Sequence, residues 1–219
     1  MPGVTLIVAG GARPDPLVVA ALPEVDRCIA ADSGGDLALA IGLQVDLLVG
    51  DLDSVSPDGL DRIRASGADL QEHPRDKDRT DLELAVDAAV DGRPDRIVII
   101  GLAGGRIDHA LANIGVLAAA ARPGIDVEGL LGSARLAVVD GKRTLTGALG
   151  ETLSLLPILG TVDGVTTAGL EFPLDDEPLP AGSARGMSNR FVANEATVEV
   201  RSGVLLAVQP FALRERRRT

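Results

Sequence analysis

The stretch Val45–Ser54 (VDLLVGDLDS) constrains the fold of this chain more than any other. Its apolar run Leu47–Val49 is typical of a buried parallel strand, and the run ends at Gly50 in the sequence Asp-Leu-Asp-Ser. Because side chains alternate along a strand, we expect Asp51 and Asp53 to share one side of the chain as it leaves the sheet. Ligands of open α/β sheets collect beyond the carboxyl ends of the strands, so a ligand site is expected at this point.

Two carboxylates held side by side repel each other. At a separation of about 4 Å the repulsion is roughly 1 kcal/mol in water and about 4 kcal/mol at an effective dielectric constant near 20. A hard divalent cation removes this cost, and Mg²⁺ in proteins commonly takes one or two carboxylates together with substrate phosphates. The alternative is a polar turn with two solvated aspartates, and this stretch alone leaves both interpretations open.

Composition narrows the classes of protein to which the chain can belong. Its 219 residues suffice for one large domain or two small ones, and a hydrophobic share of 46% excludes general disorder. The net charge of −11 argues against nucleic acid or an anionic membrane as partner, and the basic run Arg214–Arg218 is interpreted as a solvated terminus. Cys28 is the only cysteine, so an internal disulfide and a zinc ribbon are excluded.

Signals for export or membrane insertion are not found in the sequence. The apolar run after Met1 is short and lacks a basic segment before it, and no run of 18 apolar residues occurs. We therefore expect a cytoplasmic protein.

The chain changes character near residues 145–150. Before this point, predicted strands alternate with predicted helices. The strands are predicted at 4–10, 27–32, 47–49, 68–72 and 96–101. The first helix is predicted to end at residue 21, and the others to span 36–41, 57–66, 80–91 and 108–121. Short strands broken by glycines fill 127–147, and from Glu151 onward the pattern is strand-like throughout. The sequence predicts an α/β domain with a mainly parallel sheet (1–147), followed by a small all-β domain, a sandwich or barrel (148–219).

Acidic residues recur at the junctions between strands or loops and helices. The junctions carry aspartates at four places: Asp32, the pair Asp51 and Asp53, Asp81, and Asp108. Several of the same junctions carry glycines or a basic residue, Lys77 or Arg106. In a parallel sheet these loops emerge on one edge, and Mg²⁺ with a nucleotide polyphosphate accounts for both signs of charge. The sequence contains neither the P-loop pattern nor Gly-x-Gly-x-x-Gly after its first strand, which excludes P-loop enzymes and disfavours dinucleotide dehydrogenases.

Structural explanations remain open for several of these residues. Glycines such as those after Asp32 also serve simply to close turns. Thr80 and Glu83 form a capping-box pattern, so Thr80 has a purely structural interpretation as the N-cap of a helix. Asp108 fits a plain N-cap, and His109 fits a polar residue in the first turn of a helix.

Several blocks, taken together and in order, resemble the thiamine pyrophosphokinase (thiamine diphosphokinase) family. They run from about residue 28 to 208: AADSGGD (30–36), VDLLVGDLDS (45–54), KDRTDLELA (77–85), GLAGGRIDHALANI (101–114), SLLP (154–157), GVTTAGLEFPL (164–174) and ARGMSN (184–189). The resemblance implies transfer of a pyrophosphoryl group from ATP to the hydroxyl of thiamine, which gives thiamine diphosphate and AMP. It also implies a homodimer in which the C-terminal domain binds thiamine and mediates dimerisation.

The resemblance further implies roles for individual residues. Mg²⁺ would be held by Asp51, Asp53 and Asp81, and these residues and Arg106 would form the catalytic set. Thiamine would lie against Ser188 and Asn189. The nucleotide, ATP as co-substrate, would be bound by Asp32, Gly34, Lys77, Asp78, Thr80, Gly104, Gly105, Arg106, Asp108 and His109.

The chain departs from the family pattern in two respects. Ser33 shifts the glycine pattern after Asp32 by one position. Neither Trp nor Tyr exists to stack on thiamine; the nearest aromatic candidate in sequence is Phe191, and the neighbouring Arg190 would repel the thiamine cation. Since Gly-Met-Ser-Asn is also favourable turn chemistry, Ser188 and Asn189 retain a structural interpretation.

Three alternative functions account for parts of the same pattern. One is a related diphosphokinase that acts on a pterin alcohol, against which the Ser188–Asn189 block argues. Another is a non-catalytic module that binds thiamine or a nucleotide, against which the full acidic set argues. A metal-dependent glycosyltransferase with an Asp-x-Asp motif is weaker, because it does not account for the glycine–arginine block.

Overall fold

The structure, a computed structural model, describes residues 3–213 and divides into two compact units. The first unit comprises the chain up to Val116 together with Gly129–Gly132. The second comprises Leu117–Glu128 and the chain from Ser133 onward. The basic run Arg214–Arg218, interpreted above as a solvated terminus, lies outside the described residues.

The compact units and the predicted domains are divided differently. Residues 117–128 and 133–147 belong to the second compact unit, whereas the sequence grouped them with the first domain. As a statement about functional domains, the predicted boundary between residues 147 and 148 stays a prediction.

The first unit is built on a parallel sheet. Its strands are β1 (Val4–Val8), β2 (Arg27–Ala31), β3 (Leu47–Gly50), β4 (Asp69–Glu72) and β5 (Arg96–Ile100). The helices that begin in it are α1 (Pro16–Ala20), α2 (Gly34–Ala40), α3 (Pro57–Ala65), α4 (Asp81–Asp91) and α5 (Ile107–Ala119). The strand order is β5-β1-β2-β3-β4, and each neighbouring pair is parallel. The predicted parallel α/β fold is confirmed, and every strand of this sheet ends at the same edge.

The apolar composition of the strands explains why they form the core of the first unit. β1, β2 and β5 each begin with a partly exposed residue and continue with four buried ones, and all four residues of β3 are buried. β4, in contrast, is exposed along its whole length and forms an edge. The edge where ligands are expected is therefore supported by the buried carboxyl ends of β1, β2, β3 and β5.

Helix α2 begins two residues earlier than the predicted Asp36, because its two glycines lie inside the helix and not in a turn before it. A Cβ on Gly34 would lie 2.0 Å from the Val8 carbonyl oxygen, and one on Gly35 would lie 2.7 Å from Ile63 Cδ1. Both glycines therefore allow α2 to pack closely against its neighbours.

Helix α4 begins at the predicted capping box. The Thr80 hydroxyl accepts a hydrogen bond from the Glu83 backbone N–H at 3.3 Å, and the Thr80 backbone N–H donates to the Glu83 carboxylate at 2.7 Å. This confirms the structural interpretation of Thr80.

The second unit carries antiparallel strands, which confirms the predicted all-β character of the C-terminal part. Its strands from residue 133 onward are β7 (Ala134–Val139), β8 (Lys142–Thr146), β9 (Thr152–Leu156), β10 (Val162–Ala168), β11 (Glu177–Leu179), β12 (Asn189–Arg190), β13 (Glu195–Glu199) and β14 (Leu205–Gln209), preceded by β6 (Asp126–Leu131). One group pairs in the order β12-β9-β14-β7 and the other in the order β11-β10-β13-β8. A buried apolar cluster draws side chains from both groups, among them Leu155, Val165 and Leu205. The unit is therefore a sandwich.

Among residues 3–213, none of the helices combines the length and the apolar character that crossing a membrane requires.

Candidate active site

Three aspartates converge at the carboxyl edge of the parallel sheet. Asp32 follows β2, and Asp51 and Asp53 follow β3, its parallel neighbour. Each of the three offers a carboxylate oxygen, and these oxygens all lie within 4.8 Å of one another. We call this group the acidic cluster.

The backbone around the acidic cluster is held in uncommon conformations. Asp32 has φ 46° and Leu52 has φ 60°, a left-handed region that non-glycine residues rarely adopt. A Cβ on Gly50 would lie 3.1 Å from both Asp32 Cβ and Asp81 Oδ1, so glycine is needed for the loops to approach this closely. Such strain is concentrated at functional sites, where the surrounding structure enforces it.

Hydrogen bonds orient the carboxylates of the acidic cluster. Ser54 donates its hydroxyl to Asp53 Oδ1 at 2.8 Å and its backbone N–H to Asp32 Oδ1 at 3.4 Å. The Asp53 backbone N–H donates to Asp51 Oδ1 at 3.3 Å. Each carboxylate is thereby fixed at one oxygen by the loop after β3.

Asp81 lies beside the acidic cluster and is connected to it by Lys77. Lys77 Nζ lies 3.0 Å from Asp81 Oδ1 and 4.0 Å from Asp51 Oδ2. The three side chains are only 15%, 25% and 16% exposed for Lys77, Asp81 and Asp51, respectively. Asp81 Oδ1 is buried and accepts no hydrogen bond within residues 3–213, so its contact with the ammonium is electrostatic and poorly aligned.

Of the predicted metal ligands, the structure therefore brings Asp51 and Asp53 together. The third member of the group is Asp32, which the resemblance assigned to nucleotide binding. Asp81, the remaining predicted ligand, is not a member of the group. Asp81 is the carboxylate that shares Lys77 with Asp51.

Burial makes the charge of Asp32 costly. The pKa of Asp32 is raised above its ordinary value, chiefly by burial and to a lesser extent by the negative charge of Asp81, and hydrogen bonds from Ser33 and Ser54 offset only part of this effect. The ionised form of Asp32 is therefore disfavoured until a cation approaches it.

The donor set fits a hard divalent cation such as Mg²⁺. The acidic cluster offers only carboxylate oxygens, which this class of ion prefers, and Asp81 Oδ1, which is buried and accepts no hydrogen bond within residues 3–213, lies nearby. Lys77 already places one positive charge beside Asp51 of the cluster and beside Asp81. A metal ion would take over this electrostatic role.

The loop after β5 carries the predicted anion-binding residues. Arg106 donates from Nε to Asp108 Oδ1 at 3.1 Å and from Nη2 to Asp108 Oδ2 at 2.5 Å. This paired contact lowers the pKa of Asp108 to about 2. Both side chains are well exposed, at 69% and 61%, and so is His109. Asp108 uses two of the five guanidinium N–H donors of Arg106 and leaves three for an anion.

The other predicted nucleotide residues lie at the same edge of the sheet. Gly104 and Gly105 precede Arg106, and a Cβ on Gly104 would lie 2.2 Å from the Ala12 backbone nitrogen. Asp78 is exposed in the loop that also carries Lys77, and the hydroxyl of Thr80 is engaged in the helix cap. The nucleotide roles of these residues stay predictions.

In the second unit, Ser188 is the last residue of a turn and Asn189 is the first residue of β12. Ser188 has φ 56°, and its backbone N–H donates to the Ser154 hydroxyl at 3.0 Å. Asn189 is buried, its side-chain amide N–H donates to the Phe172 carbonyl at 2.7 Å, and its Oδ1 accepts from the Phe172 N–H at 3.0 Å. Asn189 therefore holds the backbone of Phe172 from both sides.

The aromatic candidate named from the sequence is wrong. Phe191 is 1% exposed and packs against Gly147, so it presents no free ring to a ligand. Phe172, held by Asn189, is 62% exposed. Local sequence does not bring Phe172 and Asn189 together, because their contact spans 17 residues.

Two family models match the chain. Residues 20–128 match the model described as thiamin pyrophosphokinase, catalytic domain, and residues 142–205 match the one described as thiamin pyrophosphokinase, vitamin B1 binding domain. The first match contains the acidic cluster and Arg106, and the second contains Phe172, Ser188 and Asn189.

Relatives that match more than nine-tenths of this chain are named thiamine pyrophosphokinase. A curated thiamine pyrophosphokinase of Bacillus subtilis (strain 168) is 28% identical over 208 residues, which cover 93% of this chain and 96% of that protein. A crystal structure of thiamine pyrophosphokinase from Bacillus subtilis superposes with a TM-score of 0.79 at 27% identity and covers 94% of this chain and 98% of that one. The thiamin pyrophosphokinase of Geobacillus thermodenitrificans gives a TM-score of 0.78 at 26% identity, with 94% and 96% covered.

Proposed function

The chain belongs to the thiamine pyrophosphokinase family, and on this premise we propose that it transfers the pyrophosphoryl group of ATP to the hydroxyl of thiamine. The products are thiamine diphosphate and AMP. The observation that carries the proposal is the acidic cluster, which gathers three carboxylates at the edge of the sheet where ligands of such folds bind.

In this proposal Asp51 and Asp53 hold Mg²⁺, and Asp32 is the third carboxylate of the acidic cluster. Asp81 is a further ligand, whose charge Lys77 neutralises before the ion binds. When bound, Mg²⁺ would neutralise charge on the phosphate oxygens and help to align them. The residues of the chain contribute fixed positions more than covalent chemistry, as is usual in phosphoryl-type transfer.

Lys77 and Arg106 supply the positive charges that face the triphosphate. Asp108 fixes the guanidinium of Arg106 through two hydrogen bonds, which leaves the remaining N–H donors oriented for phosphate oxygens. The glycines before Arg106 let the backbone approach the phosphates closely.

Thiamine is bound in the second unit, in accord with the description of the family model that matches there. We assign the contact with the thiamine rings to Phe172, because its ring is exposed while Asn189 holds its backbone in place, and an aromatic face attracts a cationic ligand. Ser188 lies next to Asn189, where its side chain can contact the pyrimidine.

A homodimer is part of the proposal. Exposed large apolar side chains near the predicted thiamine residues support it: Phe172, Met187 and Val192 are 62%, 48% and 52% exposed, respectively. The cytoplasmic location stays a prediction.

The match to a vitamin B1 binding domain favours thiamine over a pterin alcohol as acceptor, and the acidic cluster favours turnover over binding alone. The test is incubation with ATP, Mg²⁺ and thiamine, followed by chromatography of AMP, ADP and thiamine diphosphate. We expect AMP and thiamine diphosphate in equal amounts. ADP as the product, or AMP formed at the same rate without thiamine, would contradict the proposal.

A matched pair of variants connects the activity to the site. Asp53→Asn should lower kcat by about 100-fold, or about 2.7 kcal/mol in activation free energy, because it removes one charge from the acidic cluster. Asp58→Asn changes an exposed aspartate in the first turn of α3 and should leave the rate unchanged. Near-normal turnover of Asp53→Asn at saturating Mg²⁺ would show that the metal assignment is wrong.

A further inference from the structure

Asp36 is an acidic residue of the first unit that has no role in the site described above. It lies in the first turn of α2, four residues after Asp32. Asp36 Oδ2 accepts a hydrogen bond from the Ser56 backbone N–H at 2.7 Å, and Asp36 Oδ1 accepts one from the Ser56 hydroxyl at 2.6 Å. One carboxylate therefore engages both donors of Ser56, at the end of the loop that follows β3.

This contact joins the two chain segments that carry the acidic cluster. One segment runs from Asp32 into α2, and the other runs from Asp51 to Ser56. At their starts the segments are joined because the Asp32 backbone N–H donates to the Val49 carbonyl at 2.8 Å, which continues the pairing of β2 with β3. At their far ends they are joined by Asp36 and Ser56. The residues of the acidic cluster lie at or between these two connections along the chain.

The second connection is close in sequence to the groups that orient the carboxylates. Ser54, two residues before Ser56, donates its hydroxyl to Asp53 at 2.8 Å and its backbone N–H to Asp32 at 3.4 Å. Val55, between the two serines, is buried and fixes the backbone there. A displacement of Ser56 would therefore move the donors of Ser54, and with them the carboxylates of Asp32 and Asp53.

The packing of α3 is adapted to the contact between Asp36 and Ser56. The Gly59 backbone N–H donates to the Ser56 hydroxyl at 3.0 Å, so this hydroxyl caps α3 and donates to Asp36 at the same time. A Cβ on Gly59 would lie 2.0 Å from Asp36 Oδ1, so no larger residue leaves the carboxylate in place. Glycine is a weaker helix former than alanine, and the approach of Asp36 gives a physical reason for its presence in α3.

We propose that Asp36 is a positioning residue for the acidic cluster, which it keeps in a form ready to bind a divalent cation by holding Ser56. The inference rests on the proposed function, because it concerns the same metal ion. Asp36 acts through its two hydrogen bonds, and neither as a ligand nor through its charge. The carboxylate oxygens of the cluster lie within 4.8 Å of one another before an ion binds, and a site formed in advance lowers the cost of binding.

Two substitutions of Asp36 separate its hydrogen bonds from its charge. Asp36→Ala removes both, whereas Asp36→Asn removes the charge and keeps an oxygen that can accept from the Ser56 N–H and an amide that can donate to the Ser56 hydroxyl. The measurement is Mn²⁺ affinity without ATP, followed by the electron paramagnetic resonance signal of the free ion, after a thermal melt in EDTA has shown that each variant is folded. We expect Asp36→Ala to bind Mn²⁺ about tenfold or more weakly than the wild type, as is usual when a residue that orients metal ligands is lost. Asp36→Asn should bind it as the wild type does.

Asp46→Ala is the matched control for Asp36→Ala. The Asp46 carboxylate accepts a hydrogen bond from the Cys28 backbone N–H, also at 2.7 Å, but it lies at the opposite end of β3 from the acidic cluster. Its loss should lower the melting temperature and leave Mn²⁺ affinity unchanged. A loss of stability alone therefore does not account for the effect expected at Asp36.

Gly59→Ala tests the same contact without removing any charge, and it decides the proposal even if Asp36→Ala does not fold. The added Cβ would displace the Asp36 carboxylate from Ser56, so this variant should also bind Mn²⁺ about tenfold more weakly, although alanine is the better helix former. Gly115→Ala makes the same change in α5, where the added Cβ meets no atom within 4 Å, and should bind Mn²⁺ normally.

The outcomes separate this proposal from the proposed function. Wild-type affinity in Gly59→Ala and in folded Asp36→Ala would overturn the role of Asp36. Equal weakening by Asp36→Asn and Asp36→Ala would also overturn it, because the charge and not the hydrogen bonds would then be responsible. A wild-type protein that binds no Mn²⁺ would instead refute the metal site of the proposed function, and the role of Asp36 with it.

Discussion

Lys77 is the internal cation of the site, and its removal gives the sharpest prediction. Lys77→Gln keeps a polar side chain of similar length but removes the charge that lies 3.0 Å from Asp81 and 4.0 Å from Asp51. At an effective dielectric constant near 20, these contacts correspond to about 5.5 and about 4 kcal/mol of attraction before the cost of desolvation is subtracted.

The net effect on stability is smaller than these attractions. Removing one partner of a largely buried ion pair typically costs about 3–5 kcal/mol, since the remaining charge is left uncompensated. We therefore expect Lys77→Gln to lower the free energy of unfolding by about 3 kcal/mol in metal-free buffer, measured by urea unfolding in EDTA. For a chain of this size the melting temperature should fall by about 6–12 °C.

Divalent cations should reverse this loss. In Lys77→Gln no ammonium competes with the ion for Asp51 and Asp81, so the variant should bind Mn²⁺ about tenfold more tightly than the wild type and regain stability when saturated. The matched control is Arg75→Gln, because Arg75 lies 3.5 Å from Asp53 but is 81% exposed, and its loss should cost less than about 1 kcal/mol. The reasoning is refuted if Lys77→Gln is as stable as the wild type in EDTA and binds Mn²⁺ equally well.

Three further predictions follow from individual residues. The pKa of Asp32 is raised, so its ionised form lowers the stability of the fold as pH rises. Asp32→Asn should therefore have a higher melting temperature than the wild type at pH 7 in EDTA, and the difference should disappear near pH 4. A lower melting temperature of the variant at pH 7 would contradict this prediction. Phe172→Ala should weaken thiamine binding by about tenfold in calorimetry, whereas Phe211→Ala, which removes another exposed ring, should not. The pKa of Asp108 is lowered to about 2, so its stabilising contribution is complete above about pH 4 and is lost as pH falls through 2; the difference in melting temperature between Asp108→Asn and the wild type should shrink steadily from pH 4 to pH 2, and a difference that stays constant over this range would contradict it.

The sequence predicted the parallel sheet because four of its five strands are largely buried and appear as apolar runs such as Leu47–Val49, whereas the edge strand β4 is exposed. It predicted the start of α4 because the capping box of Thr80 and Glu83 is a local pattern. It placed the Asp-x-Asp motif beyond a strand for the same reason, since the glycine and the two aspartates are neighbours in the chain.

The composition of the acidic cluster could not be predicted in the same way. Asp32 joins Asp51 and Asp53 because β2 lies next to β3 and because Asp32 adopts a left-handed φ of 46°. Neither the strand order nor a strained dihedral angle can be predicted from the local sequence. Phe172 was missed for a related reason, since its contact with Asn189 joins residues far apart in the chain.

Mn²⁺ binding followed by electron paramagnetic resonance tests the central claim most directly. In the absence of ATP, the protein should bind the ion and remove the signal of free Mn²⁺, and the double variant Asp51→Asn/Asp53→Asn should bind it about 100-fold more weakly or worse. Asp61→Asn, at an exposed position in α3, should behave as the wild type. A folded double variant that binds Mn²⁺ as tightly as the wild type would contradict the assignment of the acidic cluster as the metal site.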